Sequence, residues 1–68
     1  MLNTIRKIIA RKCVEGRRPL IATAMEVYAA TGLNAMDQRD EAEALSAKGL
    51  LTIGRTFNGV YYKLKEYD

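Results

Sequence analysis

Histidine and tryptophan are absent from this 68-residue chain, and cysteine, proline and phenylalanine each occur once. With no histidine and only the Cys13 thiol, no Cys/His set can hold zinc and no internal disulfide can close. The side chain that most often serves as a general base near neutral pH is also missing, so catalysis would rest on carboxylates alone. Asp37, Asp40, Glu41 and Glu43 instead read as one solvated helix face, and no glycine-rich loop is present to cradle phosphate. The expectation is a protein that is not an enzyme and uses neither metal nor cofactor. No apolar run approaches the roughly 20 residues of a membrane-spanning helix, and residues 1–13 carry charges where a signal peptide would be apolar. A cytoplasmic location without membrane contact is therefore expected.

What is present fits one small globular domain, residues 1–68, with 49% hydrophobic and 28% charged residues. That length lies near the lower limit for folding without disulfides, metal or a second subunit, so self-association is in play. Cys13 is expected as a small buried apolar residue. The formal net charge of +3 is unevenly spread. Residues 1–18 carry Arg6, Lys7, Arg11, Lys12, Arg17 and Arg18 against Glu15; residues 19–47 carry Arg39 against Glu26, Asp37, Asp40, Glu41 and Glu43. Residues 48–68 are again basic, with Lys48, Arg55, Lys63 and Lys65 against Glu66 and Asp68. Basic flanks suit a polyanion, whereas an acidic centre repels phosphate and invites a basic protein.

Leu2, Ile5, Ile8, Ile9 and Cys13 recur at three- and four-residue spacing, which predicts an amphipathic first helix stopped by Gly16. Pro19 breaks the pattern, and Leu20-Ile21 reads as a very short extended segment. Thr23 and Glu26 form a capping-box sequence that opens a second helix, with Val27, Tyr28 and Ala30 or Thr31 turned inward. Gly32 ends that helix in a left-handed conformation, and Leu33 tucks under the turn. Asn34 caps a third helix, with Asp37 in its first turn and Ala42 and Leu45 on its inner stripe. Gly49 ends it after Lys48. Two alternating runs then flank Asn58-Gly59, a dipeptide suited to the positive φ of a type I′ turn. A turn centred there opposes Phe57 to Val60, Arg55 to Tyr62 and Ile53 to Leu64.

Residues 24–51 resemble the winged helix-turn-helix of MarR- and ArsR-type bacterial regulators. Val27, Ala30, Thr31, Gly32, Leu33, Asn34, Leu45, Lys48, Gly49 and Leu50 fall on matching positions, and a hairpin follows directly. The resemblance implies a mainly helical α/β fold: three helices and a small antiparallel sheet with a C-terminal hairpin wing. It also implies a DNA-binding transcriptional regulator, which at this size is similar to small control proteins of phages and mobile elements. Two positions depart from the pattern, Tyr28 where the family has alanine and Gln38 where it has a buried aliphatic residue. Either the Tyr28 phenol bonds the Gln38 amide, or the third helix is rotated.

By that resemblance the third helix would enter the major groove with Asn34, Ala35, Met36, Gln38 and Arg39 nearest the base edges. Arg17, Arg18, Thr23, Arg55, Asn58 and Lys63 would hold phosphates and the adjacent groove. Double-stranded DNA is the expected partner, bound by a homodimer that reads two half-sites. The alternative is a winged helix that binds no DNA and docks a basic protein on its acidic third helix.

Overall fold

The computed structural model describes residues 1–57 and 59–67. Asn58, at the centre of the expected turn and a candidate wing contact, lies outside the described residues. The elements run α1 (Leu2–Glu15), β1 (Ala22–Thr23), α2 (Ala24–Thr31), α3 (Ala35–Ala47), β2 (Leu51–Thr56), β3 (Gly59–Leu64) and a closing 3-10 turn (Lys65–Tyr67). Three helices pack with one antiparallel sheet of strand order β1-β3-β2, a mixed α/β fold that is mainly helical. Among the described residues, no helix is long and apolar enough to cross a membrane.

α1 forms on the expected stripe, with Ile5 and Ile9 fully buried and Leu2 and Ile8 packed at the core's edge. Gly16 ends it at φ 70°. Cys13, however, is exposed rather than buried. At about 100° per residue Cys13 lies about 80° around the helix from Ile5, whereas Lys12 lies within about 20° of it. Lys12 takes the inward place instead. Its stem is largely covered while Nζ donates to the Ile21 carbonyl and to Glu26 Oε1, both at 2.7 Å.

The short strand sits two residues later than expected, at Ala22–Thr23, where it pairs with Tyr62 and Tyr61 of β3. The Ile21 amide is instead tied to the Pro19 carbonyl at 3.0 Å, which keeps Leu20 and Ile21 out of the ladder. α2 opens with both halves of the capping box, the Glu26 amide donating to Thr23 Oγ1 and the Thr23 amide to Glu26 Oε1. Gly32 ends it at φ 77°. Of the residues expected to face inward, only Val27 does; Tyr28, Ala30 and Thr31 are exposed. The helix is anchored by Ala24 and Val27, and Tyr28 lies about 100° around from Val27.

α3 begins where Asn34 Oδ1 accepts the Asp37 amide at 2.9 Å. It ends with the Gly49 amide on the Ser46 carbonyl and the Leu50 amide on the Leu45 carbonyl, the paired bonds of a Schellman stop. Its inner face carries Ala42, half-buried Leu45 and Gln38, the one buried polar residue among those described. Gln38 Nε2 donates to the Ala24 carbonyl at 3.0 Å and to the Leu33 carbonyl at 2.9 Å. Gln38 Oε1 accepts from the Tyr62 hydroxyl at 2.8 Å. The phenol that pairs with this amide is thus Tyr62 of the sheet and not Tyr28, which corrects the expected pair. The helix also needs no rotation, since Gln38 remains on its inner face.

The hairpin register differs from the expected one by two residues: Leu51 opposes Leu64, Ile53 opposes Tyr62, Arg55 opposes Val60 and Thr56 opposes Gly59. Gly59, expected at the centre of the turn, is instead paired in the ladder with Thr56. A shift of two preserves which side chains share a face, because side chains alternate with a period of two. It brings Leu51 into the core opposite Leu64 and releases Phe57 to solvent. On the other face it sets Gly54 against Tyr61, whose ring covers the space a Gly54 side chain would fill.

Two outcomes are expected in urea unfolding. Tyr62→Phe removes the partner of a buried amide oxygen and should cost about 1–3 kcal/mol; Gln38→Leu strands two carbonyls and a phenol and should cost more. The double variant should be less destabilised than the two single costs combined, and a Gln38→Leu protein as stable as its parent would refute this account of the core. Separately, Gly54→Ala should destabilise the parent but be neutral or stabilising in a Tyr61→Ala background, a coupling of about 1 kcal/mol. Equal effects in both backgrounds would refute the ring-over-glycine packing.

Candidate nucleic-acid interface

The α2–α3 unit and the hairpin enclose two adjoining open grooves that share Ala24, Ala35, Gln38 and Val60 as a floor. The first, about 550 Å³, is bordered on the α2 side by Met25 and Tyr28 and at the hairpin tip by Thr56 and Gly59. The second, about 400 Å³, runs between α3 and the hairpin and is bordered by Met36, Arg39, Glu43, Ile53 and Arg55. The Asn34 cap fixes where α3 starts, and the Leu51–Leu64 pairing fixes where Arg55 falls.

Of the residues proposed to read bases, Ala35, Met36 and Arg39 are exposed and line the second groove together with Arg55. Asn34 is exposed, with its side-chain oxygen on the Asp37 amide. Gln38 does not belong with them. It is only 2% exposed, both its amide protons are used within the chain, and it cannot reach a base edge from the groove floor.

The phosphate candidates are dispersed. Arg18 and Lys63 line one groove on the outer side of the hairpin with Tyr61 and Tyr67. Arg17 lies on a different one with Lys7 and Arg11, and its guanidinium pairs with Glu15 at 2.9 Å. Thr23 is removed from the set, because its hydroxyl both accepts the Glu26 amide and donates to Glu26 Oε1 at 3.2 Å. Sequence reasoning missed the grouping of Lys7 and Arg11 with Arg17, although the i, i+4 spacing of the first two was visible. It also missed the exposure of Met25 (80%), Tyr28 (57%) and Phe57 (101%), which adds to that of Met36 (66%), a residue the sequence had placed outward. No local signal marks the first three, since their exposure depends on the hairpin register and the α2 crossing.

Electrostatically, the most structured point is Glu26. Partial burial would raise its carboxyl, but the Lys12 ammonium bond, the Thr23 amide, the Lys12 charge and the Thr23 hydroxyl outweigh burial and leave it below the usual glutamate range. Tyr62 moves the other way, its phenol raised by burial. Among the described residues, no group of His, Cys, Asp or Glu is placed to hold a metal ion. No family model, curated protein or solved structure was found to match the chain.

A depressed carboxyl stabilises the fold at pH values above its unfolded pKa of about 4.3 and loses that contribution as pH falls through the lower folded value. Glu26→Gln should therefore be less stable than the parent at neutral pH, and the gap should narrow as the solution is acidified toward pH 3 or so. A stability difference independent of pH would mean that the Lys12–Glu26 charge pair contributes nothing.

Proposed function

We propose that the chain is a small winged helix that binds double-stranded DNA as a regulator of transcription, acting by binding and not by catalysis. The element order and the pairing of β1 with the second hairpin strand support the winged-helix reading. The observation that carries the DNA reading is the position of Arg39 and Arg55. One comes from α3, the other from the hairpin, and both line a single open groove. A guanidinium from the helix is suited to the paired acceptors of guanine, and one from the hairpin to phosphate. Arg18 and Lys63, exposed on the outer side of the hairpin, add further cationic positions.

The same helix exposes Asp37, Asp40 and Glu43. Carboxylates near phosphate oppose association, so non-specific affinity should be low and strongly salt-dependent. A second reading, docking of a basic protein on α3, is favoured by one observation: Met36 is two-thirds exposed on the same helix as those carboxylates.

The two readings separate in a titration of random duplex DNA by fluorescence anisotropy at several salt concentrations. The DNA reading expects log affinity to fall linearly with log salt, and Arg18→Ala with Arg55→Ala to flatten the slope by up to about two phosphate contacts. Arg39→Ala should instead weaken a selected site by about 1–3 kcal/mol while leaving random duplex nearly unaffected. Absence of binding at low salt would reject DNA as the partner and leave the protein-docking reading.

A further inference from the structure

The outer face of the sheet carries a chemistry that the groove between α3 and the hairpin lacks. Tyr61 stands on that face over Gly54, which has no side chain to compete with the ring. With Tyr67 of the closing turn it lines an open groove of about 770 Å³, whose other walls include Arg18, Lys63, Ile21 and Thr56. Both tyrosines are half-buried, so each ring is held by the fold while part of its surface stays open. Arg18 and Lys63 are exposed, and no carboxylate is among the described residues that line the groove. We infer that this groove binds single-stranded nucleic acid, with unpaired bases stacked on Tyr61 and Tyr67 and the adjoining phosphates held by Arg18 and Lys63.

The residue types narrow the occupant. Two cations without a carboxylate suit an anion, and they would serve any phosphate. Two aromatic rings beside them suit flat apolar faces carried along that anion, and every nucleobase has such a face. In a duplex those faces are engaged by neighbouring base pairs, so a paired helix could use the cations but not the rings. An acidic peptide likewise offers charge without planar faces. A strand of unpaired bases uses both at once.

Two rings accommodate about two bases, and because stacking reads no hydrogen-bonding edge, sequence preference should be slight. Single strands of DNA and RNA share this chemistry. The inference goes beyond the duplex reading. It shares Arg18 and Lys63 with that reading but does not depend on Arg39 or Arg55, which line a different groove.

Titration of the full chain into labelled oligothymidylate or oligouridylate of about 12 nucleotides, followed by fluorescence anisotropy, tests the inference. Binding of either strand at low salt is expected, and the tighter of the two identifies DNA or RNA as the source. Tyr61→Leu and Tyr67→Leu keep apolar bulk but lose the ring, and each should weaken single-strand binding about tenfold or more while leaving random duplex unaffected. Arg18→Ala changes an exposed side chain and should flatten the salt slope by about 0.7, one phosphate contact on a single strand. Arg39→Ala should not alter single-strand binding. The chain has no tryptophan, so its intrinsic emission comes from tyrosine, and stacking should quench it more in the parent than in either tyrosine variant. If Tyr61→Leu does not fold, Tyr67→Leu, Arg18→Ala and the quenching carry the test. Failure of both strands to bind at low salt would overturn the inference. So would folded tyrosine variants that bind like the parent, or displacement of the strand by polyphosphate or polyglutamate as readily as by unlabelled oligothymidylate. Loss of duplex binding alone would reject the duplex reading and leave this one standing.

Discussion

The buried amide of Gln38 is the constraint on which the rest of this structure depends. Two protons and one oxygen join three parts of the chain: the start of α2 at Ala24, the inter-helix turn at Leu33 and the sheet at Tyr62. An amide placed at a helix crossing has to find partners or cost the fold more than a typical single interaction contributes. Here every buried side-chain polar atom among the described residues has a partner. The three bonds set the rotation of α3 about its own axis. That rotation turns Ala42 and Leu45 inward and leaves Asp40, Glu43 and Met36 outward, so the chemistry of the exposed helix face follows from a residue that is itself hidden.

A second polar tie operates on the other side of α2. Lys12, Glu26 and Thr23 connect the end of α1 to the start of α2 through one carboxylate that accepts from an ammonium, an amide and a hydroxyl. With a hydrophobic core of eight buried side chains among the described residues, apolar burial alone would specify the relative placement of the helices loosely. Directional bonds at two crossings supply what the small core lacks. The hairpin is set by packing instead, through Leu51 against Leu64 within the core and Tyr61 over Gly54 on the outer face.

The surface between the helices and the hairpin has two characters. Toward α3 the groove between helix and hairpin has guanidinium rims, and toward α2 it has thioether and aromatic rims. Carboxylates on α3 keep the whole from being a simple phosphate-binding face.

Short-range chemistry was legible without coordinates. Helix starts at Thr23 and Asn34 and stops at Gly16, Gly32 and Gly49 follow from side chains that satisfy terminal amides and from backbone positions only glycine adopts easily. The inward stripe of Ile5 and Ile9 follows from helical periodicity. Other features were decided only by tertiary structure. Asn58-Gly59 pointed to a register two residues from the one that formed, in which Leu51 pairs with Leu64 inside the core and Tyr61 covers Gly54. Lys12 took the inward place expected for Cys13 because a carboxylate from α2 stood ready to pair with it. Gln38 left the set of candidate DNA contacts because its partners come from positions 14 and 24 residues away. Local sequence dictates where elements begin and end, since those bonds close within a few residues; which faces meet is decided by contacts between distant residues, and these alone set the hairpin register and the exposed surface.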